Sequence, residues 1–159
     1  MKLSNQQGFS LIELLIVVVI IGILAGIAIP NLLASRRAAN EASTLSALRT
    51  IHSCEVTYFS TLGNGEYTDL PTLALHTLTD NVLGTGTKSG YSYAITPTAS
   101  GVRPSLFYST AVPVTPTGPA QSGTRRFGMI EDGTLHGDSV ALTPYASHDA
   151  VRTAPLLSN

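Results

Sequence analysis

The sequence predicts an α+β protein in which a long N-terminal helix is followed by a small antiparallel sheet. An apolar run, interrupted by one charged residue, extends from Phe9 to Ile29, and a three- and four-residue apolar spacing continues to Phe59. Further along the chain, short segments between Tyr91 and His136 alternate between apolar and polar residues. Helix and strand signals that are segregated along the chain in this way are typical of the α+β class.

The junction between the leader and the apolar run is the most informative part of the chain. A polar stretch, Met1 to Gly8, precedes Phe9, and Lys2 within it favours a cytoplasmic leader. A secretory signal has its cleavage site after the apolar region, at small residues. Here the Gly8–Phe9 bond, before the apolar region, is the candidate cleavage site. Cleavage there would leave the apolar helix on the mature protein.

The apolar run is long enough to cross a membrane and contains one charge. Phe9 to Ile29 is about 21 residues, or roughly 30 Å of helix, which matches a bilayer core. Glu13 lies about one helical turn after Phe9, whose amine would be free and positive after cleavage. An ionisable residue inside such a run usually has a partner. An ordinary signal anchor is the alternative, but it needs neither the Gly-Phe junction nor Glu13.

These residues resemble a known family. The stretch GFSLIELLIVVVIIGILA, from Gly8 to Ala25, is similar to the N-terminus of type IV pilins and the related pseudopilins, and Ala28 to Asn31 continues the similarity. The resemblance implies cleavage by a prepilin peptidase after Gly8 and N-methylation of Phe9. It also implies a homo-oligomeric helical filament, built from the inner membrane by an assembly platform and its ATPases. Glu13 would then pair with the Phe9 amine of a neighbouring subunit and set the register.

We therefore expect four segments along the chain. They are a leader (1–8), a transmembrane and filament-core helix (9–30), an amphipathic continuation of that helix (31–62), and a β-rich head with an irregular C-terminal tail (63–159). Pro30 should kink the helix, and Gly22 and Gly26 weaken the turns before it. The resemblance makes Gly22 to Pro30 a candidate for local melting in the filament, and an ordinary kinked helix is the alternative.

Several short elements are expected in the head. Gly63-Asn64-Gly65 should end the long helix, Asp69 should cap a helical turn, and a linker should occupy residues 84–90. Strands are expected at 91–96, 105–112, 126–130 and 134–136, the last two joined by a turn at Glu131-Asp132-Gly133. Beyond about Gly137 we expect irregular structure or a mobile tail.

The composition is typical of a small exported protein. The 159-residue chain is 43% apolar and 12% charged, with a net charge of −1, so no basic field predicts nucleic-acid binding. Cys54 is the only cysteine, and we interpret it as a small apolar residue on a helix face. Many pilins close a C-terminal loop with a disulfide, and this chain departs from that pattern.

We expect no catalytic, cofactor or metal site. The stretch from Gly84 to Ser89 resembles a phosphate-binding loop but has Thr87 where glycine is required before the lysine. The four histidines are dispersed without paired ligand spacing. Asp132 and Asp138 could share a calcium ion, as in some pseudopilins, but turn positions are the favoured interpretation.

Three hypotheses follow. The favoured one is a structural pilin, held in the inner membrane before assembly and on the cell surface in the filament. The second is a pseudopilin of a type II secretion system, disfavoured because no clear acidic calcium loop is found. The third is a membrane-tethered binding or enzymatic domain. Adhesion, twitching motility, DNA uptake and secretion share such an N-terminus, so the sequence does not choose among them.

Overall fold

The computed structural model describes residues 8–98, 101–139 and 143–157. Its first element is a long helix, α1 (Leu11–Thr61), which begins within the predicted apolar segment. The predicted leader lies outside the described residues apart from Gly8. The other elements follow in the order α2 (Leu70–Leu75), α3 (Asn81–Gly84), β1 (Thr87–Lys88), β2 (Tyr91–Pro97), β3 (Phe107–Pro113), β4 (Arg126–Ile130), β5 (Leu135–Asp138) and α4 (His148–Arg152).

The chain forms two compact units, one up to Ser35 and one from Arg36 onward. The described residues of the first unit are 8–10, which precede α1, and the apolar first part of α1 up to Ser35. The second unit contains the remainder of α1 and all later elements. Its five strands form one sheet in the order β1-β2-β3-β4-β5, with every neighbouring pair antiparallel. The predicted α+β class, a long helix followed by a small antiparallel sheet, is confirmed.

In the second unit, α1 packs on one face of the sheet. Leu48 and Ile51 of α1 are fully buried, as are Tyr91 and Phe127 from the sheet, and these side chains belong to one apolar cluster. The three- and four-residue spacing of the sequence therefore marks the helix face that meets the sheet. On the opposite sheet face, Val151 of α4 forms a smaller cluster with Ile130 and Tyr145.

Two local features follow from their turn and capping residues. After α1, Asn64 and Gly65 both have positive φ, the left-handed conformation expected at a helix end. Asp69 accepts a hydrogen bond from the Thr72 backbone N–H across 3.0 Å and caps α2 as predicted.

The predicted linker at 84–90 contains regular structure. It overlaps the end of α3 and includes β1, which pairs with β2 through a tight turn at Ser89-Gly90. Both turn residues have positive φ, the conformation of the two-residue turns that match strand twist. Alternation is not visible in a strand of two residues, which is why the linker interpretation missed it.

The region beyond Gly137 is also more regular than the sequence suggests. The Ser147 side chain accepts a hydrogen bond from the Ala150 N–H and caps α4. After α4, the Leu157 N–H donates to the Leu135 carbonyl across 2.9 Å, so the last described residues pair with β5. The predicted irregular structure is present in part, since residues 139, 143–147, 153–155 and 157 belong to neither a helix nor a strand.

Candidate assembly site

The predicted cleavage site lies just before α1. Gly8, Phe9 and Ser10 are exposed and precede the helix, and Phe9 is 94% exposed. A Cβ atom added at Gly8 would meet no heavy atom of the described residues within 4 Å. The Gly8–Phe9 bond lies just before α1, outside regular structure.

Glu13 closes the first turn of α1. The Ser10 backbone N–H donates to Glu13 Oε2 across 2.8 Å, and the Glu13 N–H donates to the Ser10 carbonyl across 3.1 Å. The first N–H groups of a helix lack partners inside it, and a glutamate at the third position can satisfy one of them. In the single subunit, Glu13 is thus a capping residue. Sequence reasoning missed this role, although the Ser-x-x-Glu spacing was its signal.

The predicted register pair, Glu13 with the Phe9 amine, would join two subunits. The structure holds one subunit, in which Glu13 is bound by its own Ser10. A carboxylate at the N-terminus of a helix is also favoured by the helix dipole. The arrangement keeps the carboxylate in a defined place at the start of the helix, and the intersubunit pair stays a prediction.

The helix that follows has a large apolar surface that the described part of the subunit leaves exposed to solvent. The exposed side chains include Leu14 (65%), Ile20 (51%), Ile27 (66%) and Leu32 (60%). Among the described residues, α1 is the one helix whose length and composition suit a membrane span. A continuous apolar surface of this size marks contact with a membrane or with other protein.

The predicted kink residues lie inside α1. Helical structure continues through Gly22, Gly26 and Pro30. A Cβ atom at either glycine would meet nothing within 4 Å. Pro30 has no N–H to donate to the carbonyl four residues earlier, and the next residue, Asn31, donates from its side chain to the Ile27 carbonyl across 3.1 Å. Kinking and local melting stay predictions.

The other polar candidates have structural roles. Cys54 is buried and its thiol donates to the Leu78 carbonyl across 2.9 Å, while burial raises the pKa of the thiol. Asp132 accepts two hydrogen bonds from Thr134, and Asp138 forms an ion pair with Arg126 at 2.9 Å. Each of the two carboxylates considered for calcium is therefore held by its own partner. Within the described ranges, no group of three metal-ligating side chains is found.

Comparison with known proteins bears on the N-terminal segment. The family model for the prokaryotic N-terminal methylation motif matches residues 3–29. The type IV wide pilus major component PilA4 of Thermus thermophilus is 62% identical over 39 residues, 24% of this chain and 30% of that protein. The type IV major pilin protein PilA of Myxococcus xanthus is 41% identical over 56 residues, 35% of this chain and 26% of that protein.

A secretion protein is similar over the same part of the chain. The type II secretion system core protein G of Klebsiella michiganensis is 36% identical over 53 residues, 33% of this chain and 37% of that protein. Similarity to these three relatives thus covers between 26% and 37% of their length. No solved structure matches the chain. The resemblance to type IV pilins and pseudopilins is confirmed.

Proposed function

We propose that this chain, which carries the prokaryotic N-terminal methylation motif, is the structural subunit of a type IV pilus. The proposal rests on the exposed apolar first part of α1, which directly follows the Gly8–Phe9 bond and in which Glu13 is the one charged residue up to Ser35. A catalytic function would need a nucleophile, acid-base or cofactor arrangement, and the polar side chains considered above instead serve caps, turns and ion pairs. The subunit is a building element rather than an enzyme.

Maturation is the first proposed step. A prepilin peptidase cleaves after Gly8, and the new amine of Phe9 is methylated. Gly8 and Phe9 are exposed and precede α1, which supports access by the peptidase. Before assembly, the helix lies in the inner membrane, where lipid covers the apolar side chains.

Assembly exchanges lipid for other helices, so apolar burial is kept in both states. Glu13 leaves its Ser10 cap and pairs with the Phe9 amine of a neighbouring subunit. A subunit that docks out of register would leave a buried charge without its partner, which would destabilise the filament contact by about 3–5 kcal/mol. The weak turns from Gly22 to Pro30 allow the helix to adapt locally. The ATPases of the assembly platform supply the energy, and the filament extends from the cell surface.

A pseudopilin is the second candidate. Six of the relatives are named type II secretion system core protein G, and this observation favours it. In favour of the pilin, the relative with the highest identity among those described is a pilus component.

Replacing Glu13 tests the proposed assembly step. The Glu13→Ala subunit should be processed to the mature length but give few filaments, whereas Ile12→Leu, a matched change on the same turn, should assemble normally. Sheared surface material and membrane fractions are compared by immunoblot. Normal filament yield from Glu13→Ala would defeat the pairing step. Processed wild-type protein confined to the membrane fraction would favour the pseudopilin.

A further inference from the structure

The connection between β3 and β4 contacts the part of α1 with which the second unit begins. We call residues 115–124 of this connection the strap. The Arg37 guanidinium donates a hydrogen bond to the side-chain oxygen of Gln121 across 3.0 Å. The Asn40 side chain donates to the Ser122 carbonyl across 2.9 Å. Two side chains of α1 therefore hold the strap near its end.

A carboxylate on α1 provides the third contact. Glu41 Oε1 accepts hydrogen bonds from the Thr124 backbone N–H, across 2.9 Å, and from the Thr124 hydroxyl, across 2.8 Å. Arg37, Asn40 and Glu41 are three and four positions apart, so they lie on one face of the helix. The strap is thus bound to α1 along a single face.

The contact between the strap and α1 is polar. Within residues 36–43 of α1, Glu41 is the one buried residue, and within the strap it is Gly123. The first buried apolar side chain of α1 in chain order is that of Ala47. Separation of the strap from α1 would therefore transfer no buried apolar side chain of either segment into water. Its hydrogen bonds would be exchanged for hydrogen bonds to water.

Both ends of the strap are fixed to the β1–β2 hairpin. Directly before the strap, the Val114 N–H donates to the Gly90 carbonyl across 2.9 Å. Directly after it, the Arg125 carbonyl accepts a hydrogen bond from the Tyr91 hydroxyl across 3.0 Å, and Tyr91 is fully buried. These two contacts do not involve α1, so they can persist when the strap leaves the helix.

The strap also has hydrogen bonds of its own. The Ser122 N–H donates to the Thr115 carbonyl across 2.8 Å, and the Thr115 N–H donates to Ser122 Oγ across 3.1 Å. The Gln121 side-chain amide donates to the Pro116 carbonyl across 2.6 Å. Because these bonds lie within the strap, it can keep its shape away from α1.

We propose that the strap is a lid on α1 that opens as a unit while the sheet stays folded. The structure shows the closed state, in which the strap covers the Glu41 carboxylate. In the open state Arg37 and Asn40 face solvent, and Arg125 continues to pair with Glu41, so the carboxylate keeps a counter-charge. Segments with few buried apolar contacts are those that open locally. The strap lies within one subunit, so this proposal is independent of the filament.

Amide hydrogen exchange on the full-length chain in detergent micelles tests the strap. The Thr124 amide reports on the contact with Glu41 and is compared with amides of β3, the central strand, as urea is raised below the unfolding transition. We expect the Thr124 amide to be protected, but at least roughly tenfold less than β3. Its protection should also depend less on urea, because a local opening exposes little surface.

Two results of this experiment would overturn the proposal. If the Thr124 amide had the same protection and the same urea dependence as β3, the strap would open only when the whole second unit unfolds. If the Thr124 amide exchanged at its intrinsic rate, the strap would not be closed on α1 in solution.

Two arginine variants form a matched pair. Arg37→Ala removes the contact with Gln121 and should lower protection of the Thr124 amide roughly two- to tenfold, as the loss of one hydrogen bond implies. Arg36→Ala removes the same charge from the exposed neighbouring position and should leave this protection unchanged. Equal effects of the two changes would show that contacts with α1 do not hold the strap closed. Protection of β3 shows that each variant is folded.

Discussion

Glu41 on α1 and Arg125 before β4 form an ion pair of 2.9 Å between residues 84 positions apart in sequence. Thr124 donates to the other carboxylate oxygen of Glu41 from its backbone N–H, at 2.9 Å, and from its hydroxyl, at 2.8 Å. The Glu41 side chain is 11% exposed, and that of Arg125 is 42% exposed. The pair joins α1 to the segment that leads into β4.

Removing this carboxylate should destabilise the second unit. We expect Glu41→Ala to lower the free energy of unfolding by about 2 kcal/mol, less than for a fully buried pair because Arg125 reaches solvent. Chemical unfolding in micelles, followed by tyrosine circular dichroism, measures the change. Arg152→Ala is the control, since its contact with Asp149 is exposed and 3.9 Å long. Equal effects of the two changes would refute a special role for Glu41.

Acid should weaken the same contact. Burial raises the pKa of Glu41, but hydrogen bonds from Thr124 and Arg125 outweigh burial, so the net pKa is below its usual value of 4.5. A lowered pKa stabilises the fold above the unfolded-state pKa, and the stabilisation is lost as pH falls through the folded-state pKa. Between pH 5 and pH 3 the wild-type chain should therefore lose more stability than Glu41→Gln. If the stabilities of the wild-type chain and of Glu41→Gln fell in parallel over this pH range, the lowered pKa of Glu41 would be contradicted.

Glu55 should have the opposite effect on how stability depends on pH. It is fully buried on α1, its Oε2 accepts a hydrogen bond from the Thr68 N–H at 3.1 Å, and its Oε1 has no partner among the described residues. Burial is the main cause that raises the pKa of Glu55 to about 7. Because the folded state holds this proton more tightly than the unfolded state, stability should fall as pH rises from about 4.5 to 7.

The Glu55→Gln variant tests this effect. It keeps an acceptor for Thr68 and cannot ionise, so above pH 7 it should be more stable than the wild-type chain, by roughly 3 kcal/mol at most. Unfolding midpoints measured from pH 4.5 to pH 8 give the comparison. A wild-type profile as flat as that of Glu55→Gln would show that the carboxyl is not held protonated in the core.

Gly128 on β4 should not tolerate a side chain. A Cβ atom there would lie 2.7 Å from Val151 Cγ1 and about as close to the Tyr145 ring, so α4 would have to move. We expect Gly128→Ala to cost about 1–3 kcal/mol. Gly26→Ala adds the same methyl group where nothing lies within 4 Å and should leave unfolding of the second unit unchanged. An unchanged free energy of unfolding in Gly128→Ala would mean that α4 does not pack against Gly128.

Processing should depend on the size and charge of residue 8. We expect Gly8→Glu to remain at precursor length, because the proposed peptidase site accepts a small residue, and Gly8→Ala to be processed in part. Immunoblots of membrane fractions distinguish the two lengths. Mature-length protein in the Gly8→Glu strain would refute the assigned cleavage site.

The sequence predicted those elements in which apolar residues recur at a regular spacing. The alternation from Tyr91 to Thr96 predicted β2 because one face of that strand is buried, and the α1 spacing predicted the face that carries Leu48. Glu55 lies on the same face of α1, but the spacing of apolar residues does not show that its carboxyl is fully buried.

Other features depend on contacts that no local pattern contains. The five residues of α4 are too few to show a period, and their stability comes from Val151 against the sheet. The contact between His136 Nδ1 and the Ala154 carbonyl oxygen joins residues 18 positions apart, because the chain returns beside β5. At the N-terminus, the Ser-x-x-Glu spacing indicates the Ser10–Glu13 cap. The proposed pairing of Glu13 with a second subunit involves a contact that the structure of one chain does not contain.

The most direct test of the filament proposal is mass spectrometry of the intact subunit and its N-terminal peptide, on material sheared from the cell surface. The proposal predicts a dominant chain that begins at N-methylated Phe9 and lacks residues 1–8. A chain that still begins at Met1 would contradict the proposal and return the tethered domain to consideration.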